Sequence, residues 1–242
     1  MEKMSKSKRD VENPDDVVEK YGADIIEIGM PYSDPLADGP VIQNSSMKAL
    51  HNGMTIKLLF DQLKSNKEKI NIPLILMGYL NPVLQYGFEK FCADAKDAGV
   101  SGIILRDLPI TEFENDYRKT LAQNNLNFIF LITPETSDDR IRKIDEISEA
   151  FIYAVSSSSI TGRDQDMNAQ KGYFERIKNM NLKNKVLIGF GIKNNKTFME
   201  ASKYASGAII GTAYIKAIGN ADNIDNETQK FLNSILQGPL TY

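Results

Sequence analysis

The chain has 242 residues, 42% of them hydrophobic and 25% charged, with a formal net charge of −3. That length and apolar content support a sizeable core, and the weak negative balance offers no electrostatic footprint for nucleic acid. A single cysteine, Cys92, excludes an internal disulfide and fits a reducing compartment.

In chain order, residues 1–16 form a charged, Lys/Ser-rich leader that contains Pro14 and is expected to be poorly ordered. It has no apolar core, so it does not read as a secretory signal. A short helix carrying Val17, Val18 and Tyr21 is expected from Asp15 or Asp16. The first buried strand follows at 25–29 and holds an acid, Glu27, near its end. A carboxylate there is costly unless it has a partner or a task. The chain then breaks into a stiff acidic loop at Pro31, Asp34, Pro35, Asp38, Gly39 and Pro40. Further apolar, β-branched runs recur at 73–78, 102–107, 127–133, 151–157, 186–191 and 208–212. Segments such as 87–98, 112–124, 138–150, 168–180 and 194–204 space apolar residues three and four apart among charges, as amphipathic helices do. The uncharged stretch 70–88 contains Asn71, Pro73, Gly78, Pro82 and Gly87, which suits a strand and loop better than a membrane span. A cytoplasmic protein with no membrane partner is expected.

Strands alternating with helices imply a parallel sheet with right-handed crossovers. Most strand starts lie about 20 to 35 residues apart, the size of a βαβ unit, and no GxGxxG follows the first strand. The expected fold is therefore α/β, a TIM (β/α)8-type barrel rather than a doubly wound sheet. With no linker in view, residues 17–242 are expected to form a single barrel domain. Only seven strands are legible, so the barrel's first strand is expected to be missing or replaced.

In such a barrel the reacting groups lie at the carboxyl ends of strands. The inventory there begins with Glu27, Asp34 and Asp38, then Tyr79-Leu80-Asn81-Pro82 and Arg106-Asp107-Leu108-Pro109. It continues with Thr133-Pro134-Glu135, the stretch from Tyr153 to Gly162, Gly189-Phe190-Gly191 and Gly211-Thr212-Ala213. The last two read as a phosphate cradle closed by Thr161-Gly162, or alternatively as tight strand-to-helix turns. The lone histidine, His51, sits in a polar stretch, so zinc chemistry is not expected. A Mg²⁺ site at Glu27, Asp34 and Asp38 is the alternative use of those carboxylates. Glu27 is either a general acid–base whose pKa is raised by desolvation or one half of a structural ion pair. Arg106 either faces the barrel mouth with a carboxylate such as Asp107 or turns outward.

The run from Glu27 to Gln43 resembles the signature of the tryptophan synthase alpha subunit, Glu-x-Gly-x-Pro-(Phe/Tyr)-Ser-Asp-Pro-x-Ala-Asp-Gly-Pro-x-Ile-Gln. The likeness continues in order through Tyr79–Pro82, Asp107–Pro109, Pro134–Thr136, Ser158–Gly162, Gly189–Ile192 and Gly211–Ala213, and covers about residues 17–240. It implies a TIM barrel that cleaves indole-3-glycerol phosphate to indole and glyceraldehyde 3-phosphate, the alpha step in the last stage of tryptophan biosynthesis. The implied partner is the tryptophan synthase beta subunit, in a heterotetramer of two alpha and two beta chains. No cofactor is implied on this chain; pyridoxal phosphate belongs to the beta subunit. By matched position Glu27 would be the acid–base and Asp38 would hold the indole N–H. Tyr153, Ile104, Phe190 and Thr161 would line the substrate, and Gly162, Gly191, Gly211 and Thr212 would hold its phosphate. Asp34, Asn81 and Pro109 would face the partner. The sequence departs from the family at the missing first strand and at Arg106, where a small or apolar residue is usual. Two other readings are a noncatalytic, truncated barrel that binds or activates the beta subunit, and a stand-alone indole-releasing lyase.

Overall fold

The computed structural model describes residues 23–155, 170–189, 191–219 and 221–237. The expected leader and the helix at Val17–Tyr21 lie outside the described residues. Two compact units account for the rest: residues 23–35 with Gln43–Phe128, and Leu36–Ile42 with the described residues from Ile129 onward.

The first unit is built on four parallel strands, β1 (Ile26–Gly29), β2 (Leu74–Gly78), β3 (Val100–Leu105) and β4 (Asn127–Phe128), bonded in that order. β2 is buried along its whole length, Leu-Ile-Leu-Met-Gly, the continuous apolar run of a strand covered on both faces. Helix Ile56–Asn66 starts at Thr55, whose hydroxyl accepts the Leu58 N–H at 3.0 Å, and buries Leu59, Phe60 and Leu63. Helix Phe88–Asp97 buries Phe88, Phe91, Cys92 and Ala95, one stripe at three- and four-residue spacing. The two helices meet through Phe60 and Phe91, whose rings lie edge-on with centroids 5.3 Å apart. Above that contact Asp94 accepts from Lys90 (2.7 Å), the Tyr86 hydroxyl (2.6 Å) and Lys64 (2.9 Å). Those three bonds hold its carboxyl well below the usual carboxylate range. Burial pushes the Cys92 thiol up to about 12, so it packs as a small apolar side chain.

The second unit repeats the plan with β5 (Leu131–Ile132), β6 (Ile152–Val155), β7 (Val186–Gly189) and β8 (Gly207–Ile209), again all parallel. Helix Asp138–Ile147 opens at Ser137, carries Asp138 and Asp139 in its first turn, and buries Ile141, Ile144 and Ile147. Helix Lys171–Asn179 buries Tyr173, Phe174 and Ile177. Helix Asn195–Ala201 opens with a reciprocal Asn194–Thr197 capping box, and Asn223 caps the final helix, Ile224–Leu236.

The structure departs from the sequence expectation in five places. The single run at 127–133 divides: Asn127–Phe128 pairs with β3, while Leu131–Ile132 pairs with β6. The buried Ile129 and Phe130 stand between, and Phe130 accepts the Tyr153 N–H at 2.9 Å. The strands expected at 102–107 and 208–212 stop at Leu105 and Ile209. Helices Pro40–His51 and Leu80–Tyr86 were not expected. The first buries no side chain, so it has no apolar stripe to betray it. The second is short and carries Pro82, which the first turn tolerates because an N–H at that position would have no helical acceptor, so proline loses no bond by lacking one. Among the described residues, no helix is long and apolar enough to cross a membrane.

Candidate active site

In the first unit, strand register decides which side chains share a face. Glu27 pairs with Ile75 and Ile75 with Gly102, so Glu27, Ile75, Met77, Gly102 and Ile104 alternate onto one side of the sheet. Glu27 is half-buried, with Oε2 shut off from solvent, and Ile104 is fully buried. The sequence-expected acid thus stands on the same side as its expected apolar wall. Beyond β1 the ladder runs one step further, with the Met30 N–H on the Met77 carbonyl at 2.7 Å. The Met30 side chain lies over Gly78, where a Cβ would come within 2.5 Å of Met30 Cε.

The loops after β1, β2 and β3 hold the three residues expected to face a partner. Asp34 is exposed and accepts from Ser33 Oγ at 2.5 Å. Asn81 Nδ2 donates to the Tyr32 hydroxyl at 3.2 Å, and Pro109 is exposed just ahead of the helical turn Ile110–Glu112. Asp107 accepts the Leu80 N–H at 2.7 Å. Arg106 does not turn outward. Its guanidinium lies 5.4 Å from the centre of the Tyr79 ring, and its Nε and Nη1 are out of solvent.

In the second unit, Asp38 is 3% exposed and its Oδ1 is shut off from solvent, a demanding place for a carboxylate. Tyr153 on β6 is buried and leans along the strand toward the carboxyl end of β7. A Cβ at Gly189 would overlap Tyr153 Cε2, Cζ and Oη, so the ring occupies the space that only glycine leaves. Gly189 in turn pairs with Ile209, and Gly191 and Gly211 each follow two residues beyond that pair. Gly191 has φ +77°, a left-handed conformation that favours glycine. Gly211 precedes helix Thr212–Ile218, and a Cβ there would meet nothing within 4 Å. Each glycine thus lies two residues past the carboxyl end of its own strand, β7 or β8. Thr161, Gly162 and Phe190 lie outside the described residues.

Sequence reasoning missed a brace on the loop after β5. The Tyr173 hydroxyl donates to the Ile132 carbonyl at 3.1 Å, and Arg176 Nη2 donates to the carbonyls of Pro134 (3.0 Å) and Thr136 (3.1 Å). Burial raises the Tyr173 hydroxyl's pKa. The apolar stripe of helix Lys171–Asn179 announced a packed face but not these partners, which lie about 40 residues away in sequence. Among the described residues no group of three or more His, Cys, Asp or Glu side chains is placed to hold a metal ion.

A family model described as tryptophan synthase alpha chain matches residues 9–238. The tryptophan synthase alpha chain of Phocaeicola vulgatus is 51% identical over 222 residues, 91% of this chain and 85% of that one. The corresponding protein of Flavobacterium johnsoniae is 52% identical over 219 residues, 90% of this chain and 86% of that one. Among solved structures, the tryptophan synthase complex from Pyrococcus furiosus superposes with a TM-score of 0.80 at 31% identity, covering 91% of this chain and 89% of that chain. The chain belongs to the tryptophan synthase alpha chain family, with the TIM-type α/β fold and the lyase chemistry of tryptophan biosynthesis that go with it.

Proposed function

We propose that this chain performs the retro-aldol cleavage of indole-3-glycerol phosphate to indole and glyceraldehyde 3-phosphate, docked on a tryptophan synthase beta subunit in the cytoplasm. The observation that carries the reading is the placement of Glu27 as the second residue of β1, half-buried and on the same face as Ile104. Protonated Glu27 delivers its proton to indole C3, leaving a cationic indolenine. The Asp38 carboxylate accepts the indole N–H and offsets that charge, the kind of preorganised electrostatic contribution that dominates many enzymes. Glu27, now a carboxylate, takes the proton of the glycerol hydroxyl next to the ring. The bond between C3 and the glycerol carbon breaks, its electron pair returns to the ring, and the hydroxyl carbon leaves as the aldehyde. Glu27 ends protonated, as it began.

Tyr153, Ile104, Phe190 and Thr161 line the substrate in this proposal. Gly162, Gly191, Gly211 and Thr212 hold the phosphate through backbone N–H groups that glycine lets approach closely. Asp34, Asn81 and Pro109 face the beta subunit, and residues 17–242 act as one domain. The chain itself needs no cofactor; pyridoxal phosphate resides on the partner. The test is indole release from indole-3-glycerol phosphate by the purified chain, with and without beta subunit. Activity that rises with the partner and disappears in Glu27→Gln supports the proposal. An inert chain that still stimulates the beta subunit, or full activity without any partner, overturns it.

A further inference from the structure

The loops after β1, β2 and β3 are tied together by side chains. Tyr32 comes from the first, Tyr79 and Asn81 from the second, Arg106 and Asp107 from the third. Asn81 Nδ2 donates to the Tyr32 hydroxyl at 3.2 Å, the Tyr32 and Tyr79 rings lie 5.4 Å apart, and Arg106 sits 5.4 Å from the Tyr79 ring centre. Asp107 accepts the Leu80 N–H at 2.7 Å, an anion at the N-terminus of helix Leu80–Tyr86. The outer end of this chain of contacts carries Asp34 and Asn81. Its inner end lies on the catalytic face. The Arg106 N–H still bonds the Gly78 carbonyl at 3.2 Å, so the strand alternation runs on from Gly102 and Ile104 to Arg106, the face that Glu27 shares.

We propose that Arg106 is a positioning residue that links the Glu27 face of the sheet to the partner-docking surface: it fixes Tyr79, and through Tyr79 and Tyr32 the loops that bear Asp34 and Asn81. This rests on the reading of those loops as the beta-subunit surface. A flat guanidinium suits the task, because it can lie against a ring while its edge donors bond other groups. A lysine ammonium on a flexible stem lacks that geometry.

The experiment measures the Kd for purified beta subunit by calorimetry, using the full chain as wild type, Arg106→Met, Arg106→Lys, Tyr32→Phe and the Arg106→Met/Tyr32→Phe double variant. Arg106→Met is expected to weaken binding about tenfold, and Arg106→Lys to recover only part of the loss. The double variant is expected to lose clearly less than the product of the two single losses, since both act on one network. An unchanged Kd in Arg106→Met, or losses that simply multiply, overturns the inference. If Arg106→Met does not fold, Arg106→Lys takes its place in the same cycle. Wild-type chain that fails to bind the beta subunit overturns the functional reading and this inference together; wild type and Arg106→Met that bind equally overturn the inference alone.

Discussion

At the scale of single residues, the proposed chemistry rests on two carboxylates set in surroundings where carboxylates are expensive. Glu27→Gln keeps the shape and removes the proton, so turnover is expected to fall by on the order of a hundred- to ten-thousand-fold. The melting temperature should stay close to that of the wild type. A loss below about tenfold, roughly 1.4 kcal/mol of activation barrier, would take Glu27 out of the acid–base role. Asp38→Asn is expected to cost on the order of a hundred- to a thousand-fold in kcat, the range seen when one preorganised electrostatic contact is deleted. Gly189→Ala is a steric test. The added methyl would collide with the Tyr153 ring, and overpacking of that kind costs about 1–3 kcal/mol. Denaturant unfolding should show that loss even where no substrate is present, and an Ala variant as stable as wild type would mean that Tyr153 has another place to go.

At the scale of elements, the Asp94 cluster fastens helix Phe88–Asp97 to Lys64 of helix Ile56–Asn66 and to Tyr86. Lys90, Tyr86 and Lys64, in that order, depress the Asp94 pKa. A depressed carboxyl pKa contributes stability in full above the unfolded value, about 3.9, and loses it as pH falls through the folded value. With the side chain 23% exposed, solvent screening holds the effect to about 1 kcal/mol. Asp94→Asn should therefore lower stability at neutral pH and flatten the acid limb of the stability curve below about pH 4, measured by urea titration across pH. Thr55→Ala tests the cap on helix Ile56–Asn66, with an expected loss of about 1 kcal/mol.

The elements also show what the sequence could and could not reveal. β2 and β6 were legible because every position is buried and apolar. The run at 127–133 concealed its division because both halves are apolar, and which neighbour each half pairs with is a tertiary matter. Arg106 and Asp107 looked like a strand end, but Asp107 leaves the ladder to bond Leu80. The acid in β1 was readable from polarity in an apolar run, although the strand begins only one residue before it, at Ile26. The seating of Tyr153 on Gly189 was not, because it depends on the register between β6 and β7. Nor was the Tyr32–Asn81 bond, whose partners are 49 residues apart in sequence.

At the scale of the whole molecule, a family assignment and a set of local geometries point to the same enzyme. The chain matches its relatives over nine-tenths of its own length, and the seven apolar runs of the sequence reappear as parallel strands in two sheets. The docking surface proposed here predicts that charge matters to assembly: Asp34 is exposed, so Asp34→Ala should change the rate of association with the beta subunit and its salt dependence more than the stability of the isolated chain. Stopped-flow mixing at two ionic strengths reads this directly.

The burial of Cys92 has a practical consequence. With its only thiol packed inside helix Phe88–Asp97 and pushed up to about 12, the native protein should be silent to maleimides and disulfide reagents at neutral pH and react only after denaturation. That silence makes it a blank background for spectroscopy. A cysteine introduced at Leu36, which is 83% exposed and two positions from Asp38, would take a fluorophore alone, and its emission would report in real time when substrate arrives and when the partner closes over it.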